Sequence, residues 1–377
     1  MKPVYIAADN ILSPLGNSTQ ENFEKVKSGL TAIRQITDER LSPVPFYASM
    51  FGEGAFHYSQ KAGAPTRFEK LCIASIESTL ANTPVKLSDA DTLFILSTTK
   101  GNIELIEGAE LTEELRKKVS MFTSAQVIAK HFGATNKPLV LSNACISGVL
   151  AIITAKRLLE SGQYKHAVVT GADVLSRFII TGFQSLNAMS SNPCKPFDKD
   201  RDGINLGECA ATVVLTTDKA LSKGILVNAG ASTNDANHIS GPSRTGLELS
   251  WAVREAMEGS AVVAGDVSFI SAHGTATVYN DEMEAKAFSA AELSAVPLHS
   301  LKGHFGHTLG AAGVLESVLT YRSLQEGIVL PSKNFETNGV PAPVNVNKAL
   351  KEDNKNHALK TASGFGGCNA AVIYSIA

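Results

Sequence analysis

Two stretches of similar design decide the fold: SNACISG at residues 142–148 and KGHFGHTLGAAG at residues 302–313. Each lies in a strand-like to helix-like transition, makes a sharp polar turn and opens a helix with small residues. Gly and Ala give an exposed helix little to gain, but they suit a helix packed inside, where backbones must approach closely. Two such helices predict a duplicated fold with its site between the halves.

Strand-like and helix-like segments alternate on both sides of these stretches. Strands are predicted at residues 4–8, 92–96, 138–141, 166–170, 210–215, 225–229, 267–272, 296–300, 343–347 and 370–376. Helices are predicted at residues 18–28, 68–80, 145–159, 248–257, 282–287 and 310–325. Such alternation implies an α/β protein with largely parallel sheets. The polar stretch 216–224 is the candidate boundary, which divides the chain into halves 1–218 and 219–377.

The composition argues against several classes of protein. The 377 residues carry 34 Lys and Arg against 36 Asp and Glu without a long basic run, which argues against binding to nucleic acid or a membrane surface. The longest mostly apolar stretch, residues 145–155, is well short of the roughly 18–20 residues of a membrane-spanning helix. Five unclustered cysteines make a poor disulfide framework and an improbable zinc site, so we expect a soluble cytoplasmic protein without a metal.

Three residues in these turns suit nucleophilic catalysis. Cys145 falls at the start of a helix, where the macrodipole and unpaired N–H groups lower the pKa of a thiol. His273 follows an apolar strand and His307 precedes the second small-residue helix, so both lie near strand ends, where ligand and catalytic groups collect. Most free cysteines and lone histidines are structural, but the three together predict a nucleophile with two imidazoles.

A series of motifs follows in order from residue 11 to residue 369. They are ILSPLGN at 11–17, NAC at 143–145, KPFDKDRDG at 195–203, LGE at 206–208, NDANH at 234–238, HGTAT at 273–277 with Asp281 and Glu284, the stretch 302–313, and SGFGG at 363–367 with Asn369. Together they resemble the motifs of β-ketoacyl-acyl carrier protein synthases of the elongating type. The resemblance implies the thiolase fold, in which two similar α/β halves form a five-layered α-β-α-β-α core.

The same resemblance implies a decarboxylating condensation. Cys145 would take an acyl group from an acyl carrier protein as a thioester, and a malonyl group on a carrier protein would then lose CO2. The resulting enolate would attack the acyl group and release a β-ketoacyl chain two carbons longer, in fatty-acid or polyketide/polyene synthesis. No cofactor is implied. The partners would be the carrier protein and a second copy of the chain, or a related subunit in a heterodimer.

Roles for further residues follow from the resemblance. Donors from His273 and His307 would stabilise the enolate. Lys302 would pair with Glu284 and shape the electrostatics of both rings, and Asp281 would organise its loop.

The remaining site residues bind the substrate in this comparison. The backbone N–H groups of Cys145 and Phe365 would hold the acyl oxygen, and the Phe365 ring would act as a gate between the two stages. Thr275 and Thr277 would donate hydrogen bonds to the pantetheine arm, although hydrogen bonding within their own turn explains these threonines equally well.

Departures from the family pattern keep alternatives open. Ser363 stands where a second Phe is common, Cys368 stands where Thr is usual, and the chain is shortened between residues 101 and 143. The acyl chain length and the pathway are therefore undecided. Cys368 also keeps open a thiolase, which uses a second catalytic Cys without decarboxylation. A chain-length-factor-like partner without activity is a minor alternative, because Cys145 is present.

Overall fold

The computed structural model describes residues 2–52, 54–55 and 64–377. Its strands are β1 (Tyr5–Leu12), β2 (Ile33–Ile36), β3 (Phe46–Ser49), β4 (Thr92–Ser97), β5 (Leu139–Leu141), β6 (His166–Asp173), β7 (Leu206–Gly207), β8 (Cys209–Thr216), β9 (Ile225–Asn234), β10 (Val267–Ser271), β11 (Pro297–His299), β12 (Ile328–Val329), β13 (Asn345–Val346), β14 (Lys351–Glu352), β15 (His357–Gly364) and β16 (Cys368–Ile376). Its α-helices are α1 (Thr19–Lys27), α2 (Arg67–Leu80), α3 (Glu113–Lys118), α4 (Met121–His131), α5 (Ser147–Glu160), α6 (Arg177–Ser185), α7 (Leu247–Gly259), α8 (Val278–Ala290), α9 (Lys302–Phe305) and α10 (Ala312–Gln325). Short 3-10 helices cover Ile103–Ile106, Lys219–Leu221, Ala264–Asp266 and Leu309–Ala311. No helix among the described residues is long and apolar enough to cross a membrane.

All the predicted strands and helices are present, with ends shifted by a few residues. The prediction missed short strands at the periphery and one long strand, β15. It also missed helices α3, α4, α6 and α9.

The main sheet repeats one pattern of strands in the two halves of the chain. Its order is β13-β11-β10-β15-β16-β9-β1-β8-β6-β4-β5, and a single pair, Tyr5 with Leu226, joins β1 to β9. In each half the outer strands are parallel, as in β5-β4-β6 and β13-β11-β10-β15. The strands towards the middle are antiparallel, as in β6-β8-β1 and β15-β16-β9. The expected largely parallel sheets are therefore mixed, because a buried apolar run does not reveal the direction of its strand.

Side chains that alternate along the strands assign five layers to the fold. On β4, Leu93 and Ile95 pack in the central cluster with α5 and α10, whereas Phe94 and Leu96 pack against α2. On β16 the same alternation separates the central cluster from the one that contains α7 and α8. Because successive side chains of a strand point to opposite faces, each half-sheet is covered on both sides. The layers are α2 and α4, the first half-sheet, α5 with α10, the second half-sheet, and α7 with α8.

The two central helices touch through glycine, as their composition predicts. A Cβ atom on Gly148 would stand 2.6 Å from the backbone nitrogen of Val314, and a Cβ on Gly313 would stand 2.3 Å from that of Val149. No side chain fits at such distances, so glycine is required at both positions. The contact brings the starts of α5 and α10 together, and the turns that precede both helices meet in the same region.

Candidate active site

Cys145 lies in a tight turn between β5 and α5. The preceding residue, Ala144, has a φ of 44°, which is uncommon for any residue other than glycine. The hydroxyl of Ser147 donates to the carbonyl of Ala144 at 2.6 Å and accepts from the N–H of Asn143 at 2.8 Å. These hydrogen bonds hold the turn in a strained conformation, which is typical of functional sites.

The two predicted histidines come from the second half of the chain and face this thiol. His273 follows β10, and His307 lies between α9 and the 3-10 helix that leads into α10. The Cys145 sulfur and one ring nitrogen of each histidine lie within 4.8 Å of one another. The two rings meet edge to face with centroids 5.1 Å apart. The structure thus brings together all three residues of the predicted constellation.

A cavity of about 380 Å³ opens onto these three side chains. Its walls include Thr275, Thr277 and Phe365, together with residues of the segment 235–242 and of helix α6. His273 and His307 are buried, and neither ring nitrogen of His307 has a hydrogen-bond partner among the described residues. A buried imidazole without a partner is available to a ligand that enters the cavity.

Lys302 contacts His273 directly, but its ion-pair partner is not the predicted one. The Lys302 ammonium lies 2.7 Å from Glu316, 2.6 Å from the carbonyl of His273 and 3.4 Å from Nδ1 of His273. The expected pairing with Glu284 is therefore wrong. Since an ammonium has only donors, Nδ1 of His273 must accept, which places the hydrogen of the neutral ring on Nε2.

Glu284 and Asp281 instead bind backbone N–H groups. Glu284 accepts from the N–H groups of His273 at 2.8 Å and Gly274 at 2.6 Å. Asp281 accepts from Thr275 at 3.0 Å and Phe197 at 2.7 Å, and burial raises the pKa of its carboxyl to about 7. Both carboxyl groups fix the loop that carries His273, which agrees with the supporting role predicted for Asp281.

Burial dominates the ionisation of the Cys145 thiol and raises its pKa to about 12. The nearby Cys368 raises this pKa further, and the Lys302 ammonium opposes the shift. The predicted lowering by a helix start is wrong because the first N–H groups are used elsewhere: Ile146 donates to the sulfur of Cys368, and Ser147 donates to Ala144.

Both histidines are neutral at neutral pH. Burial lowers the pKa of each imidazole well below its ordinary value, and the positive charge of Lys302 lowers it further. Neutral imidazoles can accept a proton from the thiol or donate a hydrogen bond from nitrogen. A thiol and two imidazoles are also donors that zinc accepts. The adjacent Lys302 and Lys360 ammonium groups oppose a dication, so the cluster is a poor metal site.

Phe365, Thr275 and Thr277 lie on the cavity wall. The N–H of Phe365 points at the Cys145 sulfur. The Phe365 residue is 40% exposed, and its ring stacks on the ring of Phe183 with centroids 5.8 Å apart. The hydroxyl groups of Thr275 and Thr277 lie 2.8 Å from each other at the cavity wall, so one of them remains free to donate to a ligand.

The sequence analysis missed two buried charges beside the site. Glu316 on α10 lies between the ammonium groups of Lys302 and Lys360, each 2.7 Å away. Lys360 on β15 is fully buried. The signal was available in the sequence, since a lone Glu within GVLESVL and a lone Lys within HALKTAS interrupt otherwise apolar or small residues.

Comparison with known proteins places the chain in one family. The sequence models for the N-terminal and C-terminal domains of β-ketoacyl synthases match residues 1–220 and 223–336. A 3-oxoacyl-[acyl-carrier-protein] synthase 2 of Vibrio cholerae is 28% identical over an alignment of 406 positions, which covers 98% of this chain and 98% of the relative.

Solved structures agree with this result at the level of the fold. A β-ketoacyl synthase from Burkholderia phymatum covers the whole of both chains with a TM-score of 0.91 and 23% identity. A ketosynthase from Xenorhabdus doucetiae, solved with its chain length factor, covers 100% of this chain and 98% of its own with a TM-score of 0.86 and 24% identity. The predicted thiolase fold is confirmed. The chain belongs to the β-ketoacyl synthase family of condensing acyltransferases.

Proposed function

We propose that this protein is a β-ketoacyl-acyl carrier protein synthase that extends an acyl group on Cys145 by two carbons from malonyl-acyl carrier protein. The observation that carries the proposal is that the Cys145 sulfur and one ring nitrogen each of His273 and His307 lie within 4.8 Å of one another at the wall of a cavity. The proposed reaction has two stages, each of which needs groups found there.

In the first stage Cys145 attacks the carbonyl carbon of an acyl thioester. Because burial keeps its pKa near 12, the thiol must lose its proton as the new carbon–sulfur bond forms, and a neutral imidazole accepts it. The bond to the pantetheine sulfur breaks, and that sulfur leaves with a proton. The N–H groups of Cys145 and Phe365 would hold the oxyanion.

In the second stage the malonyl thioester loses CO2. The electron pair of the broken carbon–carbon bond moves into an enolate, whose oxygen accepts hydrogen bonds from His273 Nε2 and from His307. The contact of Lys302 with Nδ1 of His273 supports this tautomer. The enolate carbon then attacks the acyl carbonyl on Cys145. The bond between the acyl carbon and the Cys145 sulfur breaks, the thiolate takes up one proton from solvent, and a β-ketoacyl thioester is released.

The carrier protein would deliver both substrates through the mouth of the cavity. The position of Thr275 and Thr277 on the wall supports their role in binding the pantetheine arm. Phe365 would act as the gate, since its ring stands partly exposed over the cavity and rests on Phe183. The name of the Vibrio cholerae relative, which includes the acyl carrier protein, supports this partner.

The protein would act as a dimer in the cytoplasm, with the two halves 1–218 and 219–377 in each subunit. Strand β5 is the last strand of the sheet and exposes Leu139, which leaves an edge open to a partner. The second subunit is a copy of the chain or a related chain, as in the Xenorhabdus doucetiae ketosynthase with its chain length factor. The five cysteines are free, which suits a reducing compartment.

The geometry disfavours a thiolase reaction. Such a reaction uses a second catalytic Cys, but the Cys368 sulfur contacts the carbonyls of Phe365 and Asn143. Burial also raises the pKa of Cys368 to about 11. Its side chain is therefore held in the turn beside the site. Fatty-acid and polyketide or polyene chains remain equal candidates for the product.

Intact-mass analysis with acyl carrier proteins of several acyl lengths tests this proposal. We expect the wild-type protein to gain the mass of the acyl group and to lose it, with release of an elongated product, when malonyl-acyl carrier protein is added. Cys145→Ala should abolish acylation, whereas the matched variant Cys368→Ala should retain it. Full elongation by Cys145→Ala would refute the nucleophile, and loss of elongation only in Cys368→Ala would favour the thiolase.

A further inference from the structure

Lys360 is a second buried cation beside the site, and the proposed reaction assigns it no role. It lies on β15 with no exposed surface. Its ammonium lies 2.7 Å from Glu316 Oε2 and donates to the carbonyls of Ser271 at 3.2 Å, Ala272 at 3.4 Å and Thr361 at 2.6 Å.

These surroundings favour the charged form of the side chain: burial lowers the pKa of Lys360, and the Glu316 carboxylate opposes that shift. All four neighbouring groups are acceptors, and an ammonium offers three N–H donors, whereas a neutral amine offers two and a lone pair. Removing such a cation would leave buried carbonyls without a donor and Glu316 Oε2 without its ion-pair partner, which is costly in a protein interior. The structure therefore holds a positive charge at position 360.

The same contacts connect Lys360 to His273. Ser271 and Ala272 directly precede His273, so the ammonium anchors the backbone that carries the ring. Lys360 also occupies Glu316 Oε2, while Lys302 occupies Oε1. Because the carboxylate is shared, Lys302 keeps an N–H for Nδ1 of His273.

We propose that Lys360 is a positioning residue for the decarboxylation stage: it clamps Glu316 and the His273 turn so that Lys302 donates to Nδ1, and its charge helps to keep both imidazoles neutral. This inference rests on the proposed function. The charge of Lys360 lowers the pKa of His273 and of His307, after the larger effects of burial and Lys302. A neutral ring can donate a hydrogen bond to the enolate oxygen without transferring a proton to it, as an imidazolium would.

The other charged groups around the two rings are few and come from several elements. Glu284 on α8 binds the N–H of His273, and Lys100, which pairs with Asp173, adds a further positive charge near His307. Lys302 and Glu316 complete the set together with the Cys145 thiol. Without Lys360, Glu316 pairs only with Lys302 and one positive charge near the rings is lost. The pKa values of both imidazoles should therefore rise.

The test replaces Lys360 by Met, which keeps the length of the side chain and removes the charge. We expect acylation of Cys145 to stay within about threefold of wild type, and malonyl decarboxylation at pH 7 to fall about 10- to 100-fold, the range of a misplaced catalytic group. The pH below which the decarboxylation rate declines should rise by about half a unit or more, since the positive charge of Lys360 near the imidazoles has been removed.

A nuclear magnetic resonance titration of the imidazoles gives a second readout that needs no substrate. The ring signals of His273 and His307, assigned with single-histidine variants, should titrate at higher pH in Lys360→Met than in wild type. This measurement separates the two proposals: an inactive wild-type protein would refute the proposed function, whereas unchanged titration and an unchanged pH of decline in the decarboxylation rate of the variant would overturn the role of Lys360.

Two further variants control for loss of structure. Lys156→Met removes another largely buried lysine, which pairs with Glu160 at 2.6 Å and lies about 14 Å along α5 from its start. It should leave both readouts at wild-type values. Lys360→Gln keeps N–H donors for the carbonyls. If Lys360→Met does not fold, Lys360→Gln should show the same rise in the imidazole pKa values. If both Lys360 variants fail to fold while Lys156→Met folds, the residue is purely structural and the proposal is wrong.

Discussion

Gly148 and Gly313 place the two central helices in backbone contact, and this contact brings the turn of Cys145 close to the turn of His307. Gly148 lies three residues after Cys145, and Gly313 lies six residues after His307. The ideal Cβ of Gly313 would stand 2.8 Å from the Cα of Gly148. The separation of the catalytic turns therefore depends on the absence of a Cβ atom at these two glycines.

Gly313→Ala should separate the helices and destabilise the protein. The added methyl group meets backbone atoms that cannot rotate away, and overpacking of this kind costs about 1–3 kcal/mol. Urea unfolding would measure the loss. Gly182→Ala is the matched control, because a Cβ there meets nothing within 4 Å on helix α6, and it should be neutral or slightly stabilising. Equal stability of the two variants would contradict the close approach.

Replacing either histidine should separate the two stages of the reaction. His273→Ala or His307→Ala removes a donor to the enolate, and we expect malonyl decarboxylation to fall about 10²–10³-fold, as for loss of an oxyanion donor. Cys145 should still be acylated, but more slowly in His307→Ala, because His307 is the imidazole with a free nitrogen to accept the thiol proton. Decarboxylation assays and intact mass measure the two stages separately. Loss of acylation as the sole defect in both variants would count against a shared role in stabilising the enolate.

The pH dependence of decarboxylation should show imidazoles that resist protonation. Burial and Lys302 hold the pKa of His273 and of His307 well below 6.5, so the rings stay neutral as pH falls through that value. Activity should therefore persist below pH 6.5 and decline only in more acidic solution. The steady-state rate between pH 8 and pH 5 checks this. A midpoint at or above 6.5 would show that protonated histidine is not excluded by the site.

The alkylation rate of Cys145 distinguishes burial from a helix-start effect. With a pKa of about 12, the thiolate fraction rises tenfold per pH unit across the accessible range. Iodoacetamide should therefore react with Cys145 ever faster from pH 7 to pH 10, without a plateau. Mass spectrometry of the modified peptide would follow the rate at this residue alone. A plateau near pH 8 would mean that the helix start controls the thiol.

His299 should make the protein less stable in acid. It is fully buried, neither ring nitrogen has a partner among the described residues, and burial lowers its pKa to about 3. Below about pH 6.5 the unfolded chain takes up a proton that the folded chain refuses, so stability falls by up to about 1.4 kcal/mol per pH unit. His299→Leu should flatten this slope in urea unfolding between pH 6.5 and pH 4. At pH 8 His299 is neutral in both the folded and the unfolded chain, so the free energy of unfolding measured there serves as the internal reference.

The sequence was sufficient for the nucleophile and the two histidines because each lies next to a turn with a recognisable pattern. It was insufficient for the charges behind them. Glu284 lies 18 residues before Lys302 and Glu316 lies 14 residues after it, and only the packing of α10 under the site shows which one the lysine binds. Lys360 was missed because no strand was predicted between residues 347 and 370, whereas the structure places this lysine in the buried middle of β15.

The direction of the Cys145 pKa shift also needed the structure. A sequence shows that a helix follows the residue, but it does not show which acceptors take the first N–H groups. Here Ala144 and Cys368 take them, and burial then decides the ionisation. Strand direction in the half-sheets was hidden for a similar reason, since apolar runs of both directions look alike.

The turn that carries Phe365 is tied to a second turn across the cavity mouth. Gly366 donates to the carbonyl of Ile239 at 2.6 Å, and Asp235 donates to the carbonyl of Gly367 at 2.7 Å. A ligand that displaces the Phe365 ring by moving its backbone must also shift the segment that bears His238, which lines the same opening. The width of the entrance thus depends on two loops that are joined by hydrogen bonds. The size of the Phe365 side chain alone will not predict which substrates are admitted.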